Sequence, residues 1–188
     1  MAEFVHAVDS LSLDELSRLI KEKRSNSGSD GDKKKSEVDF AFKTVLVSKL
    51  ANSDSVDGLL ALVQFSIDAA LKDFVTRYMP VVLLMDIFDT VSVETCTVVF
   101  DFVETHIPTW KSPYFAQICR TNLLRMCNDI LRRLSRTMDT VFCGRILIFL
   151  ARCLPLAEKS GVNLASQFNT ENFTRYDDTE DVEAFRSK

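Results

Sequence analysis

Residues 123–164 read LLRMCNDILRRLSRTMDTVFCGRILIFLARCLPLAEKSGVNL, and the first half of this stretch has the pattern of an amphipathic helix. At 100° per residue its apolar side chains fall within one arc of about 160°. They are Leu123, Leu124, Met126, Cys127, Ile130, Leu131 and Leu134. Three arginines, Arg125, Arg132 and Arg136, lie on the opposite side. We therefore predict a helix that packs by one face and presents arginines on the other.

The second half of the stretch predicts a helix of another kind. Between residues 141 and 154, apolar side chains cover nearly the whole circumference, and only Arg145 and Arg152 interrupt them. A helix that is apolar all round has to be surrounded by protein. We expect it at the centre of the domain or in an interface, with Gly144 letting a neighbouring helix approach closely. The two arginines are expected to pair with acids, because an unpaired buried charge is costly.

The same periodicity continues upstream and predicts an all-α fold, either an antiparallel helical bundle or a short helical solenoid of about 6–8 helices. The predicted helices lie near 37–51, 55–77, 80–90, 93–107, 114–136 and 140–154. Their expected N-caps are Asp54 or Ser55, Ser92 and Thr140. Pro108 and Pro113 are expected to bracket a loop that contains Trp110. No stretch shows the alternation of a strand with turn signals at both ends.

Composition predicts how the chain is divided. The sequence from Ser12 to Glu15 reads as a helix capping box, whereas residues 25–36 carry no apolar side chain that a core would bury. The predicted domains are an N-terminal helical segment over 1–24, a disordered linker over 25–36, a helical core domain over 37–160 and a loosely ordered acidic tail over 161–188. The lysines at 33–35 are read either as a nuclear-import signal or as part of a solvated loop.

Bulk properties exclude several classes of protein. A chain of 188 residues with 46% hydrophobic residues is long enough for one domain with a sizeable core. The five cysteines are odd in number and none is spaced as C-x-x-C, so we expect free buried thiols in a reducing compartment. The N-terminus lacks the apolar run of a signal peptide, and no apolar run is long enough to cross a membrane.

Catalytic and metal-site patterns are missing from the sequence. The two histidines, His6 and His106, lie in different segments without structural-zinc spacing. There is no glycine-rich phosphate loop and no nucleophile elbow. We therefore expect no enzymatic activity, no cofactor, no metal and no small-molecule substrate.

Charge is distributed unevenly along the predicted core. Between Tyr78 and Trp110 there are five acids and no lysine or arginine, whereas residues 111–152 carry one lysine and seven arginines against two acids. Either the two blocks neutralise each other across neighbouring helices, or they form separate faces for different partners. The pattern alone leaves both readings open.

Three sequence segments within residues 123–164 resemble the THO complex subunit 1 family. They are LLRMCNDILRRLS at 123–135, VFCGRI at 141–146 and LPLAEKSGVNL at 154–164, and the similarity continues weakly through Gln167 to Asn169. Upstream, only Thr109-Trp110 and LLMDIFD at 83–89 look similar. The resemblance implies a nuclear, non-enzymatic subunit of the THO assembly, which belongs to the transcription-export machinery and couples transcription to messenger-RNA export.

The resemblance also implies partners and a longer chain. The partners expected from it are other THO complex subunits, chiefly the large scaffold subunit. Family members continue through further helices to a C-terminal death-like domain, so the present sequence is expected to be an N-terminal piece or a short isoform.

Helix geometry nominates the contact residues. The candidate interface consists of Arg125, Arg132, Arg133 and Arg136, with Trp110 and Tyr114 as aromatic anchors in the preceding loop. Two other readings remain open. In the first, the arginines lie on the solvent-exposed side of the helix and pair with Asp129. In the second, the arginine face of helix 114–136 binds RNA directly.

Overall fold

The structure, a computed structural model, describes residues 2–26, 31–52, 54–135 and 137–154. Helices make up nearly all of these residues. Nine helices lie within these residues. They are α1 (Ala2–Asp9), α2 (Leu13–Asn26), α3 (Gly31–Ala51), α4 (Val56–Leu71), α5 (Met79–Thr90), α6 (Val93–Thr105), α7 (Ile107–Lys111), α8 (Pro113–Arg133) and α9 (Thr140–Cys153). The predicted all-α fold is confirmed, with more helices than the sequence indicated.

The predicted starts of the helices are mostly correct because the capping residues act as expected. The side chain of Ser55 accepts a hydrogen bond from the Gly58 N–H at 3.2 Å, and that of Ser92 accepts one from Thr95 at 3.3 Å. Thr140 differs from the prediction, since Asp139 occupies the N-cap position of α9. The cause is a turn held by Asp139, whose carboxylate accepts from the Ser135 N–H at 2.9 Å.

The N-terminal helices reach the core in sequence: α2 packs against α1, α1 packs against α3, and α3 packs against α4 and α5. Ser12 accepts from the Glu15 N–H at 3.3 Å, which is one half of the predicted capping box. The predicted linker over 25–36 does not fit residues 31–36, because they form the first turns of α3. Lys35 is tied down there, with its ammonium 2.7 Å from Asp73. The residues at 27–30, the end of the predicted core domain at 155–160 and the tail predicted at 161–188 lie outside the described residues.

An aromatic cluster holds the C-terminal half of the core together. The ring of Phe100 on α6 lies 6.3 Å from Phe88 of α5, and 5.5 and 5.4 Å from Phe142 and Phe149 of α9. All four rings are buried, and the two contacts with α9 are edge-to-face, the geometry that aromatic quadrupoles favour. This cluster fixes α9 against α6, while α8 packs against α5, α7 and α9.

Candidate interaction surface

The exposed side of α8 carries the predicted arginines, and the apolar arc opposite is buried. Leu123, Met126, Cys127 and Ile130 are all in the core, so the predicted face is correct. Arg125 is exposed, and Arg132 is 79% exposed with its guanidinium 3.0 Å from Asp129 on the same helix. Arg136 lies outside the described residues. Arg125 and Arg132 are therefore the α8 arginines available to a partner.

Arg133 has a different role from its neighbour Arg132. Its guanidinium donates to the carbonyl oxygen of Phe88 and, at 2.7 Å, to that of Val91. Both carbonyls lie where α5 ends at Thr90. The last carbonyls of a helix have no hydrogen-bond partner within the helix and carry the negative end of its dipole. A cationic donor there makes the missing hydrogen bonds and also offsets the negative end of the dipole. Arg133 thus joins α8 to the end of α5.

We expect Arg133→Ala to lower the free energy of unfolding by about 2 kcal/mol, because two carbonyls lose a charged donor. Arg132→Ala is the matched control, since its exposed pair with Asp129 should contribute less than about 0.5 kcal/mol. Urea unfolding followed by far-ultraviolet circular dichroism measures both values. Equal losses in the two variants would contradict this role for Arg133.

Of the two predicted aromatic anchors, Trp110 lies in the core and Tyr114 is partly buried against it. Trp110 is only 2% exposed, lies in α7 where a loop was predicted, and donates its indole N–H to the Val103 carbonyl at 3.1 Å. The Tyr114 hydroxyl donates to the carbonyl oxygen of Ala70 near the end of α4, and the Arg77 guanidinium lies 4.4 Å from the centre of its ring. Burial leaves the indole of Trp110 inaccessible to a partner, which argues against its predicted role as an anchor, and the contacts of both residues hold α7 and α8 in place.

The acidic and basic blocks meet where α6 faces α9. The guanidinium of Arg145 donates to Asp101 and, at 2.6 Å, to Glu104, and it is 27% exposed. The hydrogen bond to Glu104 raises the pKa of Arg145 above its ordinary value, while burial opposes the shift. The predicted pairing of Arg145 is confirmed. The sequence could not name its partners, because the two helices are separated by α7 and α8.

The outer side of α9 is apolar and exposed. Phe142, Ile146 and Phe149 are buried, but Val141 is 80% exposed and Leu147 and Ile148 are also exposed. A Cβ built on Gly144 would have no atom within 4 Å, so no helix of the described chain approaches there. The helix is thus packed on one side only and does not lie at the centre of the domain. A contiguous apolar face of this kind is typical of an interface with another protein.

Burial suppresses ionisation of two of the thiols, and hydrogen bonds hold the imidazole of His106 in place. Burial raises the pKa of Cys119 to about 12 and that of Cys153 to about 11, so both remain protonated thiols at neutral pH. All five cysteines are free. His106 ends α6, with Nδ1 2.8 Å from the Phe102 carbonyl and Nε2 2.8 Å from the Gln64 side-chain oxygen.

Neither a metal centre nor a membrane span was found among the described residues. That part of the chain brings together no group of three or more histidine, cysteine or acidic side chains suited to a metal ion. Across the same ranges, no helix combines the length and apolarity needed to span a bilayer.

Comparison with known proteins identifies the family. A family model described as THO complex subunit 1 transcription elongation factor matches residues 59–188. THO complex subunit 1 of Homo sapiens is 45% identical over 153 residues, which cover 81% of this chain and 23% of the human protein. The chain belongs to the THO complex subunit 1 family. The family similarity therefore extends well beyond the three sequence segments within residues 123–164.

Other relatives support membership of the THO complex subunit 1 family. The mouse protein of that name shows the same identity and coverage, and the one from Arabidopsis thaliana is 42% identical over 107 residues, 56% of this chain and 18% of the plant protein. The chain spans less than a quarter of the length of these curated relatives. No solved structure matches it.

Proposed function

We propose that this chain is a non-enzymatic helical subunit of the nuclear THO complex, supporting messenger-RNA biogenesis and export through contacts with other subunits. The proposed partner is chiefly the large scaffold subunit. Family membership supports the assembly, and the exposed apolar face of α9 is the observation that supports a docking role. Burial of Val141, Leu147 and Ile148 against a partner would supply the free energy of association.

The exposed arginines of α8 are proposed to orient the partner. Arg125 and Arg132 lie two helical turns apart on the same side of α8. Arg132 is already paired with Asp129, but exposed pairs of this kind are weak and exchange readily for a better-placed carboxylate. Complementary charges at the rim of an interface mainly select the partner and its orientation, while the apolar centre supplies affinity.

Direct RNA binding through the same arginines is the second candidate function. Phosphate contacts need only accessible guanidinium groups, which Arg125 and Arg132 provide. Recognition of a single strand usually adds aromatic platforms for stacking. Trp110 is buried and the Tyr114 hydroxyl and ring are both engaged. Protein docking is therefore the better-supported proposal.

Affinity purification of the tagged chain from nuclei tests the proposal. We expect the large THO subunit to be recovered, and the double charge reversal Arg125→Glu with Arg132→Glu to lower its recovery at least about fivefold. The matched control reverses Arg18 and Lys21, exposed residues of α2, and changes the net charge equally. Equal recovery with both double variants would contradict the arginine role, and failure to recover any THO subunit would contradict the assignment.

The RNA alternative is decided on the purified chain. A single-stranded RNA is titrated at low and at moderate salt. Binding that weakens steeply as salt rises, and that is lost in the double variant of Arg125 and Arg132, would favour RNA recognition over protein docking. No binding at low salt would remove it.

A further inference from the structure

A cleft of about 600 Å³ lies where α3 ends and where α4 and α6 begin. Its apolar lining residues are Val47, Leu50 and Ala51 of α3, Val56 and Leu59 of α4, and Val91 before α6. Leu59 is buried beneath the others, whereas Val47 is 65% exposed. The volume is within the range that accommodates a few large side chains of a ligand.

The polar groups that line the cleft are already occupied. The Ser92 hydroxyl accepts a hydrogen bond from the Thr95 N–H and lies 3.0 Å from the Thr95 hydroxyl. The Thr90 hydroxyl donates to carbonyls of α5 at 2.8 and 3.0 Å. A small polar ligand would therefore find few free partners, which favours an apolar occupant.

The apolar surface extends beyond the cleft along α3. Phe40 lies seven residues before Val47, is also exposed, and falls on the same side of the helix. Thr44 lies between them, and its hydroxyl is turned back to the Phe40 carbonyl at 2.8 Å. The combined feature is an elongated apolar strip that ends in a cleft, the shape that receives one face of an amphipathic helix.

The charge around this strip is mainly negative. Asp54 lines the cleft, and the exposed Asp57 and Glu94 lie in the first turns of α4 and α6, next to lining residues. Lys49 lies behind Asp54, largely buried, with its ammonium 3.3 Å from Asp54 and 3.5 Å from Asp9.

A second lysine, Lys43, is exposed on α3 one turn before Val47. It interacts electrostatically with Asp86 and Asp39, so these two carboxylates offset its charge. Asp54 is paired with Lys49, so Asp57 and Glu94 are the carboxylates proposed to act on a ligand.

We propose that this cleft is a second docking site, which receives a basic amphipathic helix of another protein. Leucine-sized side chains of that helix would enter between α3, α4 and Val91, and its lysines or arginines would face Asp57 and Glu94. The site lies on other helices than the arginines of α8 and has the opposite charge, so it selects a different kind of partner. It does not depend on the THO assignment.

The test uses a labelled synthetic helix of about 16 residues, with leucines at i, i+3 and i+7 and arginines on the flanks. Fluorescence anisotropy with the full chain measures its affinity. We expect the peptide to bind, and its affinity to fall as salt rises. Val47→Lys should lower the affinity at least about tenfold, because it places a charge like that of the peptide in the strip. A peptide with leucines changed to serine, and one with arginines changed to glutamate, should both lose binding.

The matched control is Leu71→Lys, which changes an exposed aliphatic side chain to lysine at the end of α4, twelve residues after Leu59 and outside the lining of the cleft. It should bind the peptide like the unmodified chain. Because Val47 is mostly exposed, Val47→Lys should fold normally, and circular dichroism checks this. Glu94→Gln provides a second variant, expected to weaken binding about threefold by removing one rim charge.

Three outcomes would overturn the proposal. One is no binding of the arginine peptide at low salt, and another is equal binding by Val47→Lys and Leu71→Lys. The third is self-association of the chain that Val47→Lys abolishes, because a second copy would then be the occupant.

Discussion

Replacing Trp110 with alanine is expected to lower the free energy of unfolding by about 3–5 kcal/mol. The indole is buried, its N–H donates to the Val103 carbonyl, and its ring lies 6.2 Å from Phe115 in an edge-to-face arrangement. Alanine would leave a large cavity between α6, α7 and α8 and would remove the donor. A loss of this size should lower the melting temperature by roughly 10 °C or more.

The measurement is denaturant unfolding followed by far-ultraviolet circular dichroism, since Trp110 is the chain's one tryptophan and the variant has no indole fluorescence. Lys111→Ala is the control on the same short helix, where an exposed side chain should matter by less than about 0.5 kcal/mol. A loss below about 1 kcal/mol for Trp110→Ala would indicate an exposed indole and would restore the sequence-based prediction of a partner anchor.

Reversing the charge of Arg145 is expected to destabilise the fold by about 2–4 kcal/mol. Glutamate at this position would place a third carboxylate beside Asp101 and Glu104 at the contact of α6 with α9. Most of the effect should come from Glu104, because Asp101 is the more exposed partner and solvent screens its charge. Moderate salt should recover part of the loss.

Arg152→Glu is the control for this reversal. It makes the same charge change on α9, seven residues further on, at an exposed position. Its effect on the free energy of unfolding should stay within about 0.5 kcal/mol. A double-mutant cycle of Arg145→Ala with Glu104→Ala then isolates the pair, and a coupling energy near zero would contradict the proposed link between the two charge blocks.

Local signals predicted the helices well. Ser55 and Ser92 start α4 and α6 because a serine before an apolar run offers an acceptor to the first turn. The same logic missed α7. Pro108 and Pro113 were read as the borders of a loop, but each occupies the first turn of a helix. Proline suits that position as well as a loop, because the N–H it lacks has no partner in a first turn.

The candidate contact residues were harder to predict than the helices. Arg132 and Arg133 are adjacent, and helical periodicity places Arg133 nearer the apolar arc but does not name the carbonyls that it caps. The difference depends on where α5 ends relative to α8, which is a property of the packed fold. Trp110 was misplaced for a similar reason, since a five-residue helix is too short to show a periodic face.

The position of α9 shows another limit of periodicity. Its apolar circumference is compatible with burial inside the domain or against a partner, and the sequence left both open. The structure buries only the side that carries Phe142, Ile146 and Phe149. The rest of the circumference would then serve intermolecular contacts, which one chain alone does not specify.

The guanidinium groups of Arg133 and Arg145 reach acceptors more than forty residues earlier in the chain. During synthesis, α5 and α6 therefore leave the ribosome well before the side chains that complete them. Until α9 emerges, Asp101 and Glu104 lack the guanidinium of Arg145, and until α8 emerges, the carbonyls of Phe88 and Val91 lack that of Arg133. The contacts that join α8 to α5 and α9 to α6 can therefore be completed only after translation has passed α9.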